Sequence, residues 1–445
     1  MSDLLISEAE ARAEFAARIA HDALVAEHGT PADEGGQEVP EVLQPLWWAM
    51  AAYMEVPDPD VIVAALATAV AQAVPGDPLW LMIVHPSSSG KSEVIRLLDQ
   101  VADQRVKEIT LPGLLSITQS KNPKAIGLLT NYIGADALFT ISDLSPMLGD
   151  TRQSAAAKSD LWNALRDIYD GEYRRTMHGG SVAWNGRLTM LAACTPEIDR
   201  YSAYADALGT RWLYYRPTAT TAQARRDKTR FVLRRSQLNE HRASACAIAT
   251  DLIVAARMHR SNELPESFEE PLAAAADLAA YGRAAVPRGW NREVDGIVTA
   301  EEPMRLAGQL RMLALGALAL GIGEAMAMRV VHRAALSSMP QARRYVLEVL
   351  AGAEDGMSGR AVARAADLHQ AVAARALEDW ALVGFAEQLP INDDGDPAPG
   401  AVWSLTAENR ELVRAVTEHA ADIAPPNTPL LNSPSSEGNV RGVFS

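Results

Sequence analysis

The chain has 445 residues, of which 48% are hydrophobic and 22% charged, and its formal net charge is −15. This length predicts two or three domains. The acidic balance gives no support for nucleic-acid binding by the chain as a whole, because that activity favours a basic face. The two cysteines, Cys194 and Cys246, are too few for a disulfide framework or a cysteine-based zinc site.

The amino-terminal segment, residues 1–45, is predicted to contain an amphipathic helix, Met1–Glu27, and a polar linker. Acidic residues lie in this helix where a secretory signal would be basic. The longest apolar stretches, Val61–Val74 and Met312–Ile322, are shorter than the ~20 residues that span a bilayer. We therefore expect a cytoplasmic protein with no membrane partner.

A predicted P-loop follows a helical lead-in that begins at Leu46. The apolar run Leu79–Val84 predicts a buried strand, and Glu93–Val101 carries apolar residues at helical spacing. The loop between them ends in Gly90-Lys91-Ser92, and a strand, such a loop and a helix are the context of a phosphate-binding P-loop. Backbone N–H groups of such a loop converge on an anion. The predicted ATP-binding residues are Pro86, Ser87, Ser88, Ser89, Gly90, Lys91 and Ser92.

Within this loop, Lys91 is expected to reach the β- and γ-phosphates and the Ser92 hydroxyl to hold Mg²⁺. His85 stands where the first glycine of such a loop usually lies. The alternative is an ordinary helix start capped by serines, with a solvated Lys91.

Two later strands predict further catalytic residues. The apolar run Ala137–Ile141 leads to Asp143, a predicted ligand of Mg²⁺, although a strand can also end in a turn-forming aspartate. The run Leu188–Ala193 leads to Thr195, predicted to orient the attacking water or, alternatively, to cap the strand end. Leu144 stands where many ATPases place a catalytic glutamate. The candidates for the base remain open: Glu93, Asp167, Asp170 and Glu172.

A β-hairpin is predicted between these two strands, after a helix at Ser159–Tyr169. Its arms, Tyr173–Met177 and Ser181–Trp184, flank a glycine-containing turn. Arg174 and Arg175 lie on one arm and His178 lies at the tip. These arginines are suited to grip a phosphate backbone, or alternatively to pair with carboxylates of the same chain.

An arginine precedes the next apolar strand and another follows it. Arg211 is the first candidate, and Arg216 the second, for an arginine finger that reaches the γ-phosphate of a neighbouring subunit and stabilises transition-state charge. A structural ion pair is the alternative role for Arg211.

The second half of the chain is mainly helical. Residues 222–339 are alanine-rich and predict a helical lid. Its first helices carry a basic segment at 225–235 that lines an interface or DNA, or is merely solvated.

Beyond the lid, three predicted helices and a two-stranded wing describe a winged helix-turn-helix: Arg343–Ala351, Ser358–Ala365, His369–Val383, Phe385–Leu389 and Ala401–Leu405. Acidic residues in the wing, Asp393, Asp394 and Asp396, disfavour sequence-specific DNA readout. Weak duplex contact through Arg360 and Arg364, or packing against a neighbour, is the alternative. The tail, residues 424–445, has the composition of a disordered segment.

The order of P-loop strand, Asp143 strand, Thr195 strand and Arg211 resembles that of the AAA+ ATPases over about Leu46–Leu336. The hairpin before the Thr195 strand is similar to that of the pre-sensor-1 hairpin clade, to which the minichromosome maintenance helicases belong. The stretch Pro303–Leu310 resembles their second sensor helix, which implies a phosphate contact by Arg305. Three stretches also resemble ATPases of replication modules in actinobacterial phages and integrated elements: Pro86–Ser92, Ile168–Gly171 and Ala193–Pro196.

The resemblance implies an α/β fold: a P-loop AAA+ core with a parallel sheet (46–220), an all-helical lid (221–339) and a carboxy-terminal winged helix-turn-helix (340–423). It further implies a homo-oligomeric ring, hexameric in the resembled helicases, that uses ATP and Mg²⁺ to move single- or double-stranded DNA during replication of a mobile element. Catalysis would use Lys91, Asp143, Thr195 and Arg211, and DNA contact would use Arg174, Arg175 and His178 on pore-facing hairpins. The alternative is a nucleotide-switched helicase loader or regulator that binds replication-protein partners without moving DNA.

Overall fold

A computed structural model of the chain describes residues 39–54, 58–107, 109–118, 124–145, 155–177, 180–199, 211–218, 222–234, 238–289, 293–391 and 397–420. The predicted helix Met1–Glu27, the tail 424–445, His178 and the wing aspartates lie outside these residues.

The strands of the described residues are, in chain order, β1 (Trp80–Val84), β2 (Gln104–Val106), β3 (Ser116–Ile117), β4 (Ala125–Ile126), β5 (Asp136–Ile141), β6 (Glu172–Met177), β7 (Gly180–Asn185), β8 (Arg187–Cys194), β9 (Leu213–Tyr215), β10 (Ala386–Ile391) and β11 (Pro397–Leu405). Five of them form a parallel sheet in the order β2-β5-β8-β1-β9. The predicted α/β class with a parallel sheet is therefore confirmed.

Burial on both faces explains why the central strands are nearly continuous apolar runs. All five residues of β1 are buried. Trp80 and Met82 pack into one hydrophobic cluster, whereas Leu81 and Ile83 pack into another on the opposite face. The Trp80 indole N–H donates to the Leu188 carbonyl at 2.5 Å, which ties β1 to β8.

The helices of the described residues are α1 (Gln44–Ala51), α2 (Pro59–Ala71), α3 (Lys91–Arg96), α4 (Leu111–Leu114), α5 (Ala155–Tyr169), α6 (Ala222–Arg234), α7 (Leu238–His259), α8 (Glu269–Gly282), α9 (Met304–Ala319), α10 (Glu324–Ser337), α11 (Gln341–Ala351), α12 (Gly359–Ala365), α13 (Gln370–Leu382) and α14 (Ala407–His419). Helix α2 is buried along its whole length. It packs against α9, where Gly316 lets the backbones approach, since a Cβ there would lie 2.2 Å from the Ala67 carbonyl oxygen. None of the helices within the described ranges is long and apolar enough to cross a bilayer.

The carboxy-terminal part consists of α11, α12 and α13, followed by the antiparallel pair β10–β11 and then α14. Helix α14, which was not predicted, packs against α8, α10 and α11. Leu350, Trp380 and Val416 of this part belong to the same hydrophobic cluster as the preceding helices. The three predicted helices and two strands are therefore present, and they share a core with the helical region before them.

Candidate functional site

The carboxyl ends of β1, β5 and β8 lie side by side at one edge of the central sheet, because these strands are parallel and β8 pairs with both others. The predicted P-loop follows β1, Asp143 follows β5 and Thr195 follows β8. The His85 N–H donates to the Cys194 carbonyl at 3.1 Å and the Leu144 N–H to the Ala193 carbonyl at 2.8 Å. Ligands of open α/β sheets bind outside the carboxyl ends of the strands, so this edge is the candidate site.

The P-loop is closed around the Lys91 ammonium group. Lys91 Nζ donates to the carbonyl oxygens of His85 at 2.6 Å and Pro86 at 2.7 Å. Gly90 precedes α3 with φ +96°, a left-handed conformation that favours glycine, and a Cβ there would lie 2.9 Å from Met54 Cε. Burial lowers the pKa of Lys91, whereas the charge of Asp143 raises it. The lysine and the aspartate therefore act on each other electrostatically across the edge of the sheet.

The groups around this loop suit a magnesium nucleotide. The Ser89 hydroxyl is buried without a hydrogen-bond partner among the described residues, so it can serve a ligand. Ser92 and Asp143 are exposed, and Asp143 Oδ1 accepts a hydrogen bond from the Ser145 N–H at 2.8 Å. Mg²⁺ is usually held by one or two carboxylates together with substrate phosphates. Within the described ranges no cluster of three or more His, Cys, Asp or Glu side chains could hold a metal ion by itself, so the available donors fit a phosphate-bridged magnesium.

Ser145 joins the Asp143 loop to the end of β8, a role that the sequence did not reveal. Its hydroxyl accepts from the Thr195 N–H at 2.9 Å and lies 3.7 Å from the Cys194 sulfur. Thr195 is thereby held half-buried at the same edge as Lys91 and Asp143. Burial raises the pKa of the Cys194 thiol to about 11, which keeps it protonated at neutral pH.

A cavity of about 670 Å³ opens beside the P-loop residues His85–Ser89. This volume lies within the usual range for small-molecule sites. The other walls come from the end of β9 and from α6, α10 and α11. Three lining arginines are buried and carry carboxylate partners: Arg216 pairs with Asp199, Arg333 with Asp58 and Asp60, and Arg344 with Glu348. These arginines were not predicted as a group because they lie more than a hundred residues from the P-loop or beyond the lid.

His85 lines this cavity in the place of the usual glycine. Burial is the main cause that lowers its pKa to about 4, and the charges of Lys91 and Lys228 act in the same direction. The imidazole is therefore neutral at physiological pH and adds no positive charge beside the lysine.

Arg211 does not lie near the P-loop of its own chain. It precedes β9, which runs parallel to β1, so it lies at the amino edge of the sheet. Its guanidinium is 9% exposed, forms a two-pronged ion pair with Asp170 at 2.9 and 3.2 Å, and lies over the Tyr169 ring. The ion pair considered as the alternative is thus present. Arg216, by contrast, directly follows β9 at the P-loop edge.

Arg305 is likewise separated from the P-loop. It lies in the first turn of α9 and borders a second cavity of about 420 Å³, together with Asp77, Asp170 and Arg187 at the amino edge of the sheet. Its Nη1 lies 3.7 Å from Glu301. Arg305 therefore does not lie beside Lys91 within one chain, and its phosphate contact stays a prediction.

The proposed bases are also distributed over both edges. Glu93 lies on α3 next to the P-loop, but Arg242 Nε donates to its carboxylate at 2.8 Å. Asp170 pairs with Arg211, and Glu172 begins β6 at the amino edge, so neither joins Lys91; Asp167 is exposed on α5. Glu197, which was not among the candidates, follows β8 at the carboxyl edge.

The predicted hairpin is present as β6 and β7, with Tyr173 opposite Trp184 and Met177 opposite Gly180. Its apolar face, Tyr173, Val182 and Trp184, is buried. Arg174 is exposed, whereas Arg175 Nη1 donates to the Leu115 carbonyl at 2.8 Å. Arg174 is therefore open to solvent, whereas Arg175 ties the hairpin to the backbone at Leu115.

Comparison with known proteins yields no relative from which an activity could be transferred. The chain matches no model of a known protein family and no curated protein sequence. The geometry of the two sheet edges and of the hairpin is therefore the basis for assigning a function.

Proposed function

We propose that this protein is a magnesium-dependent P-loop ATPase of the AAA+ kind, which couples nucleotide hydrolysis to movement on DNA. The observation that carries the proposal is the meeting of Lys91, Asp143 and Thr195 at the carboxyl ends of three adjacent parallel strands. A Gly-Lys-Ser sequence that occurs by chance needs no carboxylate or hydroxyl beside it. A site for phosphoryl transfer needs both groups.

Each group has a distinct task in this proposal. Lys91 would exchange its bonds to the His85 and Pro86 carbonyls for phosphate oxygens, and the buried Ser89 hydroxyl would donate to the same anion. Ser92 and Asp143 would hold Mg²⁺, which neutralises charge on the phosphates. Thr195 would orient the attacking water.

The amino edge of the sheet supplies the complementary part of a shared site. Arg211 and Arg305 both lie there. Burial lowers the pKa of Arg305 and the charge of Arg211 lowers it further, because the two guanidiniums are near each other. A head-to-tail ring brings such an edge of one subunit against the P-loop edge of the next. In that arrangement Arg211 would leave Asp170 and stabilise the transferring phosphate of the neighbour.

DNA contact is assigned to the β6–β7 hairpin. The net charge of −15 makes binding by the whole surface unfavourable, so the contact has to be local. Exposed Arg174 can reach a phosphate, and several copies in a ring would concentrate positive charge on one strand. The helix-and-wing order of the carboxy-terminal part supports its assignment as a winged helix.

A nucleotide-switched regulator is the second candidate function. Leu144 stands buried after Asp143 in place of a glutamate, and Glu93 is engaged by Arg242. Both features favour slow hydrolysis. Slow hydrolysis suits a regulatory switch that binds protein partners better than it suits a motor.

Steady-state ATP hydrolysis with and without single-stranded DNA distinguishes the two candidates. For a translocase we expect DNA to stimulate hydrolysis in the wild type, and Arg174→Ala to lose most of the stimulation without losing the basal rate. The DNA affinity of this variant should also fall less steeply with salt concentration. The change in slope should correspond to the loss of about one phosphate contact per subunit.

Arg414→Ala is the matched control, because Arg414 is exposed on α14, far along the chain from the hairpin. Arg174 is preferred to Arg175 as the test residue because Arg175 also bonds to Leu115. Absence of stimulation in the wild type, together with absence of salt-sensitive DNA binding, would reject the translocase in favour of the regulator.

A further inference from the structure

The cavity beside the P-loop is partly built by the carboxy-terminal module, residues 341–420. Gln341, Arg344 and Tyr345 of α11 line it, opposite the loop residues His85–Ser89. Helix α11 is the first helix of the predicted winged helix, which lies beyond the lid in the chain. A molecule that fills this cavity from the P-loop outward therefore contacts the carboxy-terminal module directly.

The charges of the cavity indicate which end of a nucleotide goes where. The buried arginines of the outer walls already have carboxylate partners: Arg216 with Asp199 at 2.5 Å and Arg344 with Glu348 at 2.7 Å. A second phosphate site at these walls would compete with those carboxylates. The P-loop is the end suited to the phosphates, because it contributes the Ser89 hydroxyl, which has no partner among the described residues, and Lys91 follows two residues later.

The rest of the lining is mixed: Arg225 and Lys228 of α6 line the cavity, and so do apolar and neutral polar groups. Tyr345 of α11 is half-buried there, and its hydroxyl accepts a hydrogen bond from Gln341 Nε2 at 2.5 Å. Two apolar residues of α6, Val232 and Leu233, line the same cavity although they are 50% and 81% exposed. Large apolar side chains with this exposure at the mouth of a polar cavity are suited to be covered by a planar apolar group.

We propose that the base of the nucleotide lies between Leu233 of α6 and Tyr345 of α11, so that the carboxy-terminal module contacts the bound nucleotide directly. This proposal rests on nucleotide binding by the P-loop. A base has an aromatic face that stacks on a tyrosine ring and covers apolar side chains, and the Gln341 amide lies next to that ring to meet the polar edge of the base. Filling the cavity links α6, the P-loop and α11, so nucleotide exchange is coupled to the position of the winged-helix region.

The test compares the binding of ATP and inorganic tripolyphosphate, both with Mg²⁺, to the full chain and four variants by titration calorimetry. Tyr345→Ala and Leu233→Ser should each weaken ATP binding, by about tenfold for the tyrosine, because loss of base–aromatic stacking has this size. Both should leave tripolyphosphate binding unchanged. Tyr345→Phe keeps the ring and should retain ATP affinity within about threefold. Met258→Ser is the control for Leu233→Ser, since Met258 is 77% exposed on α7 and does not line the cavity.

The outcomes separate this proposal from the one on which it rests. If the wild type binds ATP, and Tyr345→Ala and Leu233→Ser bind it equally well, the base does not lie between α6 and α11. Equal loss of ATP and tripolyphosphate in both variants also overturns the proposal, because the base subsite should not affect the phosphates. If the wild type binds neither ligand, the P-loop itself is misassigned and the proposed function fails.

Discussion

The hydrogen bonds and the pKa of Lys91 bear on the proposed phosphate contact. In the protein its ammonium group is satisfied by two carbonyl oxygens of its own loop, at 2.6 and 2.7 Å. Burial lowers its pKa and therefore disfavours the charged form, so a phosphate ligand would restore favourable charge interactions that the loop carbonyls supply only in part. Gly90 is needed beside it because its backbone is left-handed.

Two histidines, the buried His332 and the half-buried His85, are responsible for a predicted pH dependence of stability. Burial lowers the pKa of His332 to about 4, and its Nδ1 is hydrogen-bonded to the Met328 carbonyl oxygen at 2.9 Å. The His419 ring of α14 lies 4.9 Å away and its charge acts in the same direction. His85 shows a similar shift to about 4. A histidine with a lowered folded-state pKa binds fewer protons when folded than when unfolded, so stability is lost as pH falls from about 6.5 towards 4.

We expect the free energy of unfolding to fall by on the order of 1–2 kcal/mol per histidine between pH 7 and pH 5. In His332→Asn the fall should shrink by the contribution of one histidine, as measured by urea unfolding at both pH values. His259→Asn, at an exposed position on α7, is the control and should keep the wild-type difference. An unchanged pH difference in His332→Asn would show that His332 does not titrate during unfolding.

At the level of elements, apolar runs and turn chemistry were sufficient to predict most of the sheet and the hairpin. The strands β1, β5 and β8 are buried along nearly their whole length, and they are apolar except for the first residues of β5 and β8 and the buried Thr140 and Thr189. Two short arms on either side of a glycine-containing turn predicted β6 and β7, which the structure contains. The pair β3–β4 was missed because each strand has only two residues, too few to show a period.

The walls of the cavity beside the P-loop could not be predicted in the same way. Arg333 reaches the cavity from α10, and its partner Asp58 is far away in the sequence. Arg344 reaches it from α11, where its partner Glu348 is one helical turn away, but this spacing does not indicate a cavity. Arg305 shows the influence of topology on such a prediction. Its local sequence indicated a phosphate contact, but the topology places the start of α9 at the amino edge of the sheet.

For the whole molecule, the sheet separates two edges, each of which carries some of the proposed site residues. The P-loop, Asp143 and Thr195 lie at the carboxyl edge, whereas Arg211, Arg305 and the base of the hairpin lie at the amino edge. One hydrophobic cluster extends from Val39 to Ala420 and includes the lid and carboxy-terminal helices. The edges are thus held at a fixed separation, so the proposed shared site would need a second copy of the chain.

Mixing of variants tests this shared site. Arg211→Ala should keep ATP binding but lose hydrolysis by on the order of 10³-fold, because an arginine finger acts mainly in the transition state. Mixing it with Lys91→Ala subunits should restore part of the rate, since some interfaces then contain both intact groups. Asp170→Asn is the matched control: it breaks the same ion pair but keeps the arginine, and it should retain hydrolysis. Failure to restore activity at every mixing ratio, or an equal loss in Asp170→Asn, would assign Arg211 a structural role.

The proposed function depends first on phosphate binding by the loop ending in Gly90-Lys91-Ser92. Titration calorimetry of the full chain with ATP and Mg²⁺ tests it most directly, with Lys91→Ala as the test variant and Lys107→Ala, an exposed lysine after β2, as the control. We predict a saturable ATP site in the wild type and in Lys107→Ala, and no measurable binding in Lys91→Ala. Binding of equal affinity by Lys91→Ala would contradict the account.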